Sequence, residues 1–266
     1  LARCVIDYLA AELDDTSSSW SGLFCQAKEQ GESVVMMTTG WRNVPSTANV
    51  LYDIVVEEIN LTWAHKGLPT IINVKLPRIA PPCENYASLS QAERDRVNLV
   101  QDHVIPAENF YRWSGVHVIF GDDVLVTGAT ADKVLYESLC NGARSFRAIY
   151  PVALDPRVAL TDASVEDRLN SVSVKQHLDE NVAQLLSAPG YQPILRALRL
   201  LFGEDNRDSL PAFLPNVPVL TWLNLYKSAL NNEFLAQPTC APSLVMLRTY
   251  LMQNGLLCAK GKVLVK

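Results

Sequence analysis

The sequence is short of the features that would assign it fastest. No apolar run reaches the roughly 18 residues that a membrane span needs, so a transmembrane role is not expected. The six cysteines, Cys4, Cys25, Cys83, Cys140, Cys240 and Cys258, are scattered, with no CxxC pair and no His-rich neighbourhood. That pattern argues against both a zinc knuckle and a disulfide framework, and reduced thiols in a cytoplasmic protein are the simplest expectation. A net charge of -5 argues against a nucleic-acid groove as the main binding surface. The chain opens on Leu1 with neither an initiating Met nor a charged-then-apolar leader, which leaves its natural start open. What remains is a globular composition, 48% apolar and 19% charged over 266 residues. That length suffices for one large domain or a domain with an appendage.

The chain is organised around Val116-His117-Val118-Ile119-Phe120-Gly121-Asp122-Asp123-Val124-Leu125-Val126-Thr127-Gly128-Ala129-Thr130. Its apolar run reads as a buried parallel strand ending in two adjacent carboxylates, and a small hydroxyl-bearing loop then opens a helix. Backbone N–H groups and hydroxyls of Val126, Thr127, Gly128, Ala129 and Thr130 would ring a phosphate at the positive end of the helix dipole, with Gly128 allowing close approach. Asp122 and Asp123 would face vicinal hydroxyls or a hydrated Mg2+ ion, which prefers carboxylates together with phosphate oxygens. Two acids in series at the end of a buried strand are costly without a partner, which weighs against an ordinary strand-turn-helix.

This stretch resembles the phosphoribosyl-pyrophosphate signature of type I phosphoribosyltransferases. In that family the acidic pair contacts the ribose hydroxyls and the loop holds the 5′-phosphate. The stretch Val124 to Thr130 also resembles the opening of a short-chain dehydrogenase. That fingerprint needs further glycines for its tight turn, and Ala131, Asp132 and Lys133 stand there instead.

Around this centre the chain reads as an α/β core. Leu1 to Leu13 carries a helical stripe of Cys4, Val5, Tyr8, Leu9 and Leu13. Ser33 to Thr39 is a strand, followed by a loop and a helix from Ala48 to Trp63 capped by Ser46 or Thr47. The family resemblance makes Gly40, Trp41, Arg42 and Asn43 the pyrophosphate loop, with Arg42 as a diphosphate contact. Thr70 to Val74 is the next strand, delivering Lys75 and Arg78 to the crevice at the ends of parallel strands, where two cations suit a pyrophosphate leaving group.

Residues 79–102 make a long excursion with Pro81-Pro82 and a Ser90-to-Glu93 capping box. By resemblance this is the flap that closes over substrate, with Tyr86, Arg94 and Arg96 as its candidate contacts. Closure would shield an oxocarbenium-like centre from water. A helix from Ala131 to Leu139 and a strand from Ser145 to Leu154 complete a βαβ series, hence a parallel sheet with helices on both faces.

From Asp155 onward helical stripes dominate, such as Leu178, Val182, Leu185 and Leu186, or Trp222, Leu223, Tyr226 and Leu230, punctuated by prolines. Trp222 and Tyr226 read as core. The expected organisation is a phosphoribosyltransferase-like core over 1–155 and a mainly helical region over 156–266 packed on it. The pattern Lys75-Leu76-Pro77-Arg78 with Tyr86 to Arg94 and the acidic motif is also similar to phosphoribosyltransferases encoded with bacterial tellurium-resistance and stress operons. That likeness implies an unusual acceptor.

The reaction the resemblance implies is transfer of 5-phosphoribosyl from Mg-bound phosphoribosyl pyrophosphate to a small-molecule acceptor. Asp122, Asp123, Lys75 and Arg78 would carry the chemistry, and a homodimer is compatible with the sequence. No general base stands out: His103 has no distinguishing context, and His117 inside its strand reads as packing. Two other readings keep the fold. One is a non-catalytic regulatory protein that binds nucleotide or phosphoribosyl pyrophosphate, and the other is a nucleotide hydrolase.

Overall fold

The computed structural model describes residues 1–41, 43–77, 113–162, 164–165, 168 and 177–264. These fall into two compact units, one holding the described residues up to 41, 46–77 and 113–168, the other holding 43–45 and 177–264.

In the first unit, helix α1 (Ala2–Asp14) buries Val5, Leu9 and Leu13, a stripe repeating every four residues. Helix α2 (Ser19–Gln30) starts where Ser18 Oγ accepts the Trp20 N–H at 3.1 Å, and it stops at Gly31, whose φ of 65° only glycine adopts freely. Strand β1 (Ser33–Trp41) leads through a Ser46 capping box into helix α3 (Thr47–His65). Strand β2 (Ile71–Pro77), strand β3 (Val116–Gly121), the two-residue strand β4 (Val124–Leu125), helix α4 (Ala129–Cys140), strands β5 (Ser145–Ile149) and β6 (Val152–Ala153), and helix α5 (Pro156–Thr161) follow.

Four strands form one parallel sheet in the order β2-β1-β3-β5, with Met36 beside both Asn73 and Ile119. Alternation along the strands splits the core into two layers. Val34, Met36 and Ile119 pack with α1, α2 and α3, where the Phe24 and Trp63 rings meet edge-on at 5.1 Å. Val35, Met37, Val118 and Phe120 face Ala131 and Val134 of α4. The expected parallel sheet flanked by helices is what the chain forms.

The connection through α3 leaves β1 toward β2, whereas the one through α4 leaves β3 toward β5 on the opposite face. Neighbouring β1 and β3 therefore flank a topological switch point, whose crevice lies at the carboxyl ends of the strands.

Local boundaries differ from the sequence expectation at four places. Gly40 and Trp41 extend β1 instead of opening a loop, because Trp41 pairs with Pro77 after an irregularity in the ladder. Lys75 lies inside β2, not past its end. Ala129 and Thr130 already form the first turn of α4. The strand expected over Ser145 to Leu154 divides at Tyr150, and its second part pairs with β4 in a separate two-stranded parallel sheet.

The second unit is helical: α6 (Glu180–Ser187), α7 (Leu195–Phe202), α8 (Leu210–Phe213), α9 (Val219–Leu230) and α10 (Ala241–Gln253) enclose one apolar core. Trp222 and Tyr226 are buried in it, as their spacing indicated, and the Trp222 indole N–H donates to Leu214 O at 2.8 Å. Among the described residues no helix is long and apolar enough to cross a membrane.

Candidate functional site

The carboxyl edge of the sheet is assembled by one helix. Ser46 at the N-cap of α3 donates its hydroxyl to Thr39 O at 3.0 Å, and the buried Asn49 donates to the Thr38 hydroxyl at 2.6 Å. One turn on, Tyr52 reaches the ends of β3 and β5, and Asp53 accepts from Asn73 and Lys75 of β2, each at 2.6 Å. Positions 46, 49, 52 and 53 share one helical face. That face pins the ends of all four strands.

At the end of β3, Gly121 is fixed by contact. A Cβ there would lie 2.7 Å from ring carbons of Tyr52, closer than packed atoms approach. The chain then turns. Asp122 N–H donates to Ile149 O at 3.3 Å, and Asp123 N–H donates to Asp122 Oδ1 at 3.0 Å. Burial, followed by repulsion from Asp123, pushes the Asp122 carboxyl up to about 6. Among the described residues no Lys or Arg pairs with either acid.

Burial and the Asp122 charge also push Tyr150 up to about 12, and Tyr52 is shifted upward for the same two reasons. The acidic turn itself has no counter-charge among the described residues, since Lys75 at the same edge is paired with Asp53.

Past β4, Gly128 takes a left-handed φ of 81° as the N-cap residue of α4. Its carbonyl accepts the Asp132 N–H at 3.0 Å, while the Ala129 N–H has only a long contact, 3.4 Å, to Thr127 Oγ1. Among the described residues no acceptor meets the N–H groups of Gly128, Thr130 or Ala131. Free first-turn amides behind a left-handed glycine are the usual donors to an anion.

Two adjacent carboxylates fit magnesium better than a metal that needs a full protein cage, since magnesium keeps several waters and takes one or two carboxylates. The described residues contain no cluster of three or more His, Cys, Asp or Glu suited to a metal.

No protein-family model matches this chain, and no curated protein matches it. Among solved structures it is similar to two crystal forms, tetragonal and orthorhombic, of a hypoxanthine phosphoribosyltransferase from Staphylococcus aureus. Their TM-scores are 0.32 and 0.30 and their identities 12% and 11%, over 51% of this chain and 61% of that chain in both cases.

The remaining sequence candidates are distributed as follows. Lys75 Nζ sits 2.6 Å from Asp53 Oδ2 and 5.0 Å from the centroid of the Trp41 ring, so its charge is already engaged. Gly40 has a left-handed φ of 86°, with Ser46 Cβ 3.2 Å from where a Cβ would stand. Asn43, also left-handed, belongs to the second unit and donates its amide to Asn231 O at 2.9 Å. Arg42, Arg78, Tyr86, Arg94, Arg96 and His103 lie outside the described residues.

Sequence reasoning missed Gly121, Tyr52, Asn49, Asp53 and Tyr150. Only Gly121 left a trace, as a glycine interrupting an apolar strand directly before two acids. The others are set by contacts between elements distant in sequence.

Proposed function

We propose that the chain is a phosphoribosyltransferase. The bond from the anomeric carbon of phosphoribosyl pyrophosphate to its pyrophosphate oxygen breaks, a bond to the acceptor nucleophile forms, and pyrophosphate leaves. The observation that carries this reading is the acidic turn Asp122-Asp123 standing at the carboxyl edge, beside the switch point, just ahead of the Gly128-led helix terminus.

In this reading the amides of Gly128 to Ala131, with the Thr127 and Thr130 hydroxyls, hold the 5′-phosphate. Binding energy gained there positions the reacting carbon. Asp122 and Asp123 take the ribose diol and, through water, magnesium. When bound, that ion supplies charge neutralisation on the pyrophosphate. Lys75, with the Trp41 ring beside it, stabilises the departing anion. Lys75 would exchange part of its pairing with Asp53 for that anion.

A non-catalytic sensor of phosphoribosyl pyrophosphate or nucleotide is favoured by one observation: the Lys75 charge is already neutralised by Asp53. Calorimetry with phosphoribosyl pyrophosphate, with and without magnesium, tests the shared premise, and phosphorus NMR of pyrophosphate release against a panel of acceptors separates the readings. Magnesium-dependent binding with acceptor-dependent release is expected. Binding without release favours the sensor, release with water alone a hydrolase, and no magnesium-dependent binding rejects the transferase.

A further inference from the structure

We infer that Tyr52 is the positioning residue of the acidic pair: its hydroxyl, lodged between Asp122 O and Ile149 O, fixes the direction in which the Asp122 side chain leaves the backbone. Both backbone polar groups of Asp122 belong to one closed ring. Its N–H donates to Ile149 O at 3.3 Å, the Tyr52 hydroxyl donates to that same oxygen at 2.6 Å, and the hydroxyl also lies 3.2 Å from Asp122 O. Holding the peptide on each side of a Cα leaves its Cβ one direction.

The ring of Tyr52 acts on the preceding residue. It occupies the space in which a side chain at Gly121 would stand, so β3 seats directly on α3. The phenol is completely buried, and the same helix holds β1 through Asn49 and β2 through Asp53. Tyr52 itself reaches no ligand, because its only proton is spent on two carbonyls. It acts through Asp122 and is not a catalytic residue.

The inference rests on the phosphoribosyl reading for its ligand arm only. Its test is Tyr52→Phe, which keeps the ring and removes the hydroxyl, read in two ways. In the ligand-free protein the χ1 rotamer of Asp122 is read at one fixed pH from the three-bond scalar couplings of its backbone nitrogen and carbonyl carbon to its side-chain Cγ, with urea unfolding measured alongside. In the liganded arm, magnesium-dependent affinity for phosphoribosyl pyrophosphate is measured by calorimetry.

With the ring of bonds opened, the Asp122 side chain spreads over several rotamers and its couplings average, while affinity falls about tenfold, the effect of one hydrogen bond. A folded Tyr52→Phe protein in which Asp122 keeps a single rotamer overturns the inference, since a merely structural tyrosine would lower unfolding stability and leave that side chain where it was. If wild-type protein binds no phosphoribosyl pyrophosphate, the proposed function fails by itself, and the couplings still decide the role of Tyr52.

Should Tyr52→Phe fail to fold, the wild-type couplings decide the matter. One fixed χ1 rotamer at Asp122 supports the inference, and rotamer averaging there with Tyr52 in place overturns it.

Discussion

Strand β3 carries a polar cluster at each end, and the two are built on opposite plans. At the amino end His117, 1% exposed, is saturated: its Nδ1 lies 2.8 Å from the Ser145 hydroxyl and its Nε2 2.8 Å from Glu32 Oε2. At the carboxyl end Asp122 and Asp123 stand next to one another with no described cation beside them, and burial raises the Asp122 carboxyl. A buried group whose partners are all internal needs nothing from outside. A half-buried acid with no counter-charge among the described residues is open to a ligand. The amino-end cluster is therefore a strut, and the carboxyl-end cluster is the proposed binding site.

The largest effect expected from breaking this contrast is at the carboxyl end. Asp123→Asn should weaken magnesium-dependent binding of phosphoribosyl pyrophosphate by about a hundredfold, the worth of a charge-assisted contact, while urea unfolding changes little. Unchanged affinity in calorimetry would remove the acidic pair from the site.

The mirror experiment at the amino end follows. Glu32→Ala leaves a buried imidazole nitrogen without its partner and should lower unfolding free energy by about 2–3 kcal/mol. Ligand affinity should hold, because five residues of β3 place Asp122 about 16 Å away. Loss of affinity in the folded variant would mean the two ends are not independent.

A smaller effect, of opposite sign, separates them further. The folded Asp122 carboxyl titrates near 6, above its ordinary value of 3.8. The folded state thus holds a proton that the unfolded chain has already released, and stability declines as pH rises through that window. Asp122→Asn removes this cost. It should stabilise the protein by about 1–2 kcal/mol at pH 7.5, after discounting for partial solvent screening, and the gain should vanish below about pH 4. Thermal melts of both proteins across pH 3.5 to 8 check it; a constant difference would show that Asp122 is not raised.

The smallest effect sharpens the amino end alone. Arg144, 49% exposed and 3.7 Å from Glu32, adds little to a His–Glu contact already made, so Arg144→Ala should shift stability by less than about 0.5 kcal/mol. A loss as large as that of Glu32→Ala would make the arginine part of the strut.

Legibility follows the range of the interactions. The strand, acidic turn and glycine-led helix occupy one continuous stretch, and their local chemistry is readable in order. Helix α2 escaped notice because Ser19 to Gln30 is mostly small and polar, with Trp20, Leu23, Phe24 and Ala27 supplying its buried face. Its signals were a capping serine before and a glycine after. Lys75 was legible as a cation at the sheet edge, but its pairing with Asp53 spans 22 residues and no spacing announces it.

The sequence by itself determined the alternation that makes β1 and β3 buried strands, the two acids at the end of β3, and the glycine that starts α4. These are properties of neighbouring residues, settled by side-chain period and backbone sterics. Only the tertiary structure decided that the Tyr52 hydroxyl would meet the acidic turn, that Asp53 would claim Lys75, and that one histidine would be saturated while two carboxylates have no cation beside them among the described residues. Those outcomes depend on which strands lie side by side and which helix crosses them, and contacts between residues 70 or 97 positions apart leave no local imprint.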